Sequence, residues 1–177
     1  MILFISIATL VLTIILTFYN YKINKTGLYL SGFLIPISIS GLLHHFFVLD
    51  HSPWKLAIVY GHFMPLFYLA GPMLYFYVRG TLNDQSKLTK WDYLHFLPFV
   101  ISLTSIFPYY FVDFNTKLKI AEHIIANPNY NRHINISWLY NNGYNLLIRP
   151  IFLFLYFLVC LFKLVRYSLE KKKTIWD

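Results

Sequence analysis

Charge is what this sequence has least of. Only 12% of its 177 residues are charged, against 58% hydrophobic and 20% aromatic. So few charged groups cannot clothe a soluble globule of this size, so the apolar surface must face lipid. Acid is scarcer than base, with 7 Asp and Glu against 15 Lys and Arg and a net charge of +8. The basic residues cluster beside apolar runs, a pattern of membrane topology rather than a nucleic-acid footprint, so direct nucleic-acid binding is not expected. Cysteine is nearly absent: Cys160 stands alone in the last apolar run, which excludes a disulfide framework and dithiol redox chemistry. Catalytic signatures are missing too, with no G-x-S-x-G elbow, P-loop or H-E-x-x-H, and every acidic residue falls in a loop or terminus. The expectation is a protein that is not an enzyme and carries no cofactor.

What is present is apolar sequence in lengths that fit a bilayer. A span needs roughly 20 apolar residues to cross a hydrocarbon core ~30 Å thick. Five runs qualify, at 1–19, 27–49, 56–78, 93–112 and 144–165. The fold class expected is therefore all-α, a polytopic transmembrane bundle forming a single domain over residues 1–177. The first run has no basic segment before it and no small-residue cleavage pattern after it, so it reads as a retained span. Pro65, Gly71, Pro72, Pro98 and Pro150 fall inside apolar runs and are expected to act as hinges where backbone hydrogen bonds are lost.

Between the fourth and fifth runs, Phe114, Leu118, Ala121 and Ile125 recur at helical spacing, with Lys117, Lys119 and Glu122 on other faces. This predicts a short amphipathic helix over 114–126, capped by Asn115 and ended by Asn127-Pro128-Asn129. Placing the N-terminus outside puts ten Lys and Arg on the inner side (22, 25, 79, 87, 90, 163, 166, 171, 172 and 173) and four on the outer (55, 117, 119 and 132). That asymmetry predicts an N-out, C-in chain.

The candidate sensing or ligand residues are His44, His45, His62 and Arg149. The histidines fall at similar depths near the outer ends of runs two and three, beside Asp50 and His51. Adjacent helical residues point about 100° apart, so His44 and His45 make a poor metal pair and no metal is expected. Two readings stay open: interfacial hydrogen-bonding histidines, or a pocket sensitive to pH or a ligand. Arg149 is the one intramembrane charge, able to snorkel outward or to pair inside the bundle. His95 is expected to make a structural hydrogen bond, and Tyr75-Phe76-Tyr77 to anchor at the headgroups.

One stretch is more specific. The segment HFMPLFYLAGPMLYFYVR at 62–79, followed after a charged loop by Leu94-His95-Phe96-Leu97-Pro98, resembles the membrane-spanning N-terminal region of bacterial AraC/XylS-type transcriptional regulators. The resemblance implies a bundle of about seven spans in the bacterial inner membrane, ahead of a cytoplasmic helix-turn-helix output. Here about five spans occur and no DNA-reading segment follows Lys173, so the chain is expected to be a truncated or split sensor half, or a free-standing membrane domain. The function expected is a sensory or anchoring module embedded in membrane lipids that signals to a cytoplasmic output protein. A homodimer is expected by analogy with paired DNA half-sites. The alternative is a small transporter or channel subunit, for which internal repeats or buried charges would be expected.

Overall fold

The computed structural model describes residues 1–129, 134 and 136–176, with side chains as far as residue 171. Helices α1 (Ile2–Asn20) and α2 (Lys25–His44) form an antiparallel hairpin, and α2 runs on into a π-helical turn, His45–Leu49. Helix α3 (Pro53–Val59) is followed by a 3-10 turn, Met64–Leu66, and by α4 (Phe67–Asn83). A second 3-10 segment, Lys90–Phe96, leads into α5 (Leu97–Tyr110). Helix α6 (Phe114–Ala126) folds back onto α3, and α7 (Asn142–Trp176) closes the bundle. No strand occurs among the described residues.

Three helical stretches are long and apolar enough to cross a membrane: Ile2–Asn20, Lys25–Leu49 and Asn142–Lys171. The number rises to five if each of two bent pairs counts as one span, α3 with α4 (bent 60°) and Lys90–Tyr110 with α6 (bent 113°). Phe4, Ile14, Phe18, Phe154 and Phe162 are all exposed on the outside of α1 and α7. Water does not tolerate such a surface on a folded monomer, and lipid does.

The chain runs between two ends of the bundle. At the first, the cap end, α3 and α6 pack together with the far end of α5 around Leu56, Ala57, Met64, Ile106, Ala121 and Ile124. At the second, the clamp end, Arg79 near the end of α4 meets Asp92 in the 3-10 segment. Helix α1 holds α2 through Ser6, Thr13 and Asn20, buried residues seven positions apart. Ser6 faces Gly41 and Asn20 faces Gly27, so small residues let the two backbones close in where lipid offers no hydrophobic drive. Two of these polar groups are satisfied by their own helix, Thr13 Oγ1 donating to Thr9 O at 2.7 Å and Asn20 Nδ2 to Leu16 O at 2.8 Å.

Several expectations change. The third apolar run, 56–78, is not one helix: it breaks after Val59, and α4 continues to Asn83, where Asp84 at φ 52° stops it. The break sits at Gly61, whose φ of +84° suits glycine alone and whose Cα lies against the Tyr109 ring. Pro65 follows in the 3-10 turn, so it lies at a bend but does not create it. Helix α4 passes through Pro72, and α7 through Pro150, without interruption. Pro98 occupies the first turn of α5, where a missing N–H costs nothing. Gly71 is a close-approach residue rather than a hinge, since a Cβ there would lie 2.5 Å from Cδ2 of Tyr156 on α7. The amphipathic helix occupies the predicted residues, but Asp113 caps it in place of Asn115, accepting from Asn115 N at 2.9 Å and Thr116 N at 3.3 Å. Its buried face is Lys117, Ala121 and Ile124, so Lys117 shares the buried face with Ala121 where the pattern put it on another.

Candidate functional site

Because α3 bends away from α4 at Gly61, the helices cannot fill the space beneath the cap. A cavity of about 380 Å³ results, within the range of small-molecule pockets. Its walls are apolar residues of α2, α3, α4 and α7, including Leu43, Leu56, Phe67 and Leu153, with Met64 from the 3-10 turn, while Ile124 of α6 contributes to the cap side. Polar groups enter at few points: Ser40, His44, Tyr60 and Arg149.

Arg149 is held by its own helix and by a ring. Its Nε donates to Asn145 O at 3.0 Å, and its guanidinium lies 5.0 Å from the centroid of Phe67. Asn145 Oδ1 in turn accepts from the Tyr68 hydroxyl at 2.7 Å, and Asn142 Nδ2 donates to the Tyr60 hydroxyl at 2.9 Å. These contacts fasten the first two turns of α7 to α4 and to the Gly61 break. Among the described residues, no carboxylate lies within ion-pair distance of Arg149.

The other predicted site residues are only partly brought together. His44 lines the same cavity as Arg149. His45 turns elsewhere, its ring edge-on to Phe46 at 5.9 Å, as the 100° step between neighbours requires. His62 lies under α6, with Nε2 3.3 Å from Lys117 Nζ, its carbonyl accepting from the Tyr110 hydroxyl at 2.7 Å, and its ring between Tyr109 and Tyr110. It therefore belongs to the cap. Lys117, 7% exposed, also donates to Tyr110 O at 3.1 Å and sits 5.3 Å from the Tyr109 centroid. Asp50 pairs at the surface with Lys55 at 2.7 Å, whose hydrogen bond holds its carboxyl below the usual range. No group of three or more His, Cys, Asp or Glu able to hold a metal occurs among the described residues.

At the clamp end, Arg79 Nη1 donates to Asp92 Oδ1 at 2.7 Å, with both side chains 7% exposed. Arg79 Nη2 reaches Lys87 O at 3.2 Å, and Asp92 Oδ2 accepts from Thr89 N, completing a capping box on the 3-10 segment. The loop is thereby pinned to α4. Sequence reading treated Arg79 as a flanking charge and Asp92 as a loop acid; alternation of apolar runs carries no signal for a pair thirteen residues apart.

The aromatic expectation also changes. Phe76 is fully buried against Tyr29, His95 and Phe96, and Tyr75 packs inward against His95 and Tyr156, so these two rings join α4 to its neighbours instead of lying in a headgroup belt. His95 makes the structural hydrogen bond expected of it, its Nδ1 lying 2.5 Å from the Tyr156 hydroxyl. Compared with protein-family models, curated proteins and solved structures, the chain finds no match in any of the three.

Proposed function

We propose that the chain is a multi-pass sensory module of a bacterial inner membrane, oriented N-out and C-in, with the cap end outside. The observation that carries this reading is the cavity beneath the cap, lined by Arg149 on α7, the long helix that leads from the cavity toward the C-terminal end of the described residues. A ligand there touches α2, α4 and α7 together and so biases how α7 sits in the bundle, which is what a signal to a cytoplasmic output requires. The 62–99 motif's resemblance to the membrane region of AraC/XylS-type regulators supports the same reading. The charge asymmetry along the chain supports the orientation.

The test joins a DNA-binding reporter domain to the end of α7 and scores its output in cells. Filling the cavity with Leu153→Trp is expected to shift output at unchanged membrane abundance. Output that ignores cavity substitutions counts against sensing, and substrate flux through the purified chain in proteoliposomes would replace it with transport.

A further inference from the structure

The cavity's chemistry narrows its ligand. Most of its wall is hydrocarbon or aromatic, from Leu43, Phe47, Leu56, Met64, Phe67 and Leu153. Into this wall α7 brings a guanidinium that is always charged, and among the described residues no carboxylate neutralises it. The tyrosine hydroxyls on this side are already engaged, Tyr60 with Asn142 and Tyr68 with Asn145, while His44 lines the same cavity. Half-buried in such surroundings, the cation loses part of its hydration, and a few neutral dipoles replace it incompletely. The cost is recovered when an anion binds, and a planar guanidinium suits the two oxygens of a carboxylate or phosphate.

We infer that the cavity binds an amphiphilic anion, a single anionic head seated on Arg149 with an apolar body along Phe67, Leu153 and Leu56. This assignment rests on the sensory reading and names the class of molecule sensed. Two sources supply that chemistry, a free medium-chain carboxylic acid or an acidic membrane lipid. An uncharged alcohol of the same length meets the apolar wall but leaves the guanidinium without a partner. The head therefore decides affinity, and the body decides whether the ligand enters.

The experiment uses the full chain in a neutral maltoside detergent and titrates decanoate, decanol and phosphatidylglycerol by calorimetry. Decanoate is expected to bind saturably and one to one, with Arg149→Gln weakening it by about 10–100-fold, the size of a lost charge-assisted hydrogen bond. Arg149→Lys should keep part of the affinity, and Leu153→Trp should abolish it by filling the site. Arg149→Gln removes an uncompensated charge and is expected to fold, which near-ultraviolet circular dichroism checks. Tight decanoate with weak phosphatidylglycerol identifies a free acid, and the reverse identifies a membrane lipid; either supports the inference. Decanol binding as tightly as decanoate, or equal affinity in Arg149→Gln and the unaltered chain, overturns it. Arg149-dependent binding that leaves the α7 reporter unmoved keeps the ligand class and rejects sensing.

Discussion

Arg79 and Arg149 are the same residue placed in two regions of one bundle, and they do opposite things. At the clamp end Arg79 meets a buried carboxylate and a backbone carbonyl, so its charge is spent on holding a loop to α4. Below the cap Arg149 meets a ring and its own helix, with no carboxylate in reach among the described residues. A buried charge with a partner is architecture. Arg149 is half-buried, so lack of a partner costs it part of its hydration and leaves it open to an anion that enters the cavity.

The largest effect expected from breaking this contrast is at the clamp. Asp92→Asn leaves Arg79 buried without its counter-ion and should cost about 3–5 kcal/mol, read as lost folded protein and a lower unfolding temperature in detergent. Arg79→Met with Asp92→Leu should recover most of that loss, apart from roughly 1 kcal/mol for the missing cap on the 3-10 segment. The same carboxyl sets an acid limit. The Arg79 hydrogen bond holds Asp92 down to about 2, below its ordinary value, so its contribution is complete above pH ~4 and fades as pH falls toward 2. A pH series of thermal unfolding should show this acid loss in the unaltered chain and not in the apolar double variant.

Next in size is close packing. Gly71→Ala pushes a methyl group into the Tyr156 ring and should cost about 1–3 kcal/mol by forcing α4 and α7 apart. At the cap end the sign reverses: Arg149→Met should leave stability within about 1 kcal/mol of the parent or raise it, because a partly desolvated charge is removed. A strongly destabilised Arg149→Met would show that this arginine is as structural as Arg79. The smallest effect belongs to the exposed Asp50–Lys55 pair, where Lys55→Met should not measurably change unfolding temperature.

Much of this was legible in the sequence, and what was missed has a common cause. Apolar run length located α1, α2 and α7, and helical spacing placed α6 on its observed residues. Proline alone did not locate the break, because the consequence of a proline depends on its position in the helix. Pro98 starts a helix, Pro72 is absorbed within one, and the real break depends on the left-handed backbone at Gly61. Lys117 was assigned to another face because a lysine counts as polar in any pattern. Its burial depends on Tyr110 and His62, which come from other elements. The cavity lining combined Arg149 and His44 from the predicted set, but Phe67 and the Asn145–Tyr68 support needed the packing of α4 on α7.

Helix α7 deserves to be considered as a solid body. Its 35 residues make a rod of roughly 52 Å, while the hydrocarbon it would cross is ~30 Å thick, so about two fifths of its length exceeds that thickness. An unbroken helix is stiff in torsion: turning it at the cavity turns its far end through the same angle. Each residue is worth about 100° of azimuth, so inserting one within 166–171 would re-aim whatever is joined beyond, and inserting seven would bring it almost back into phase.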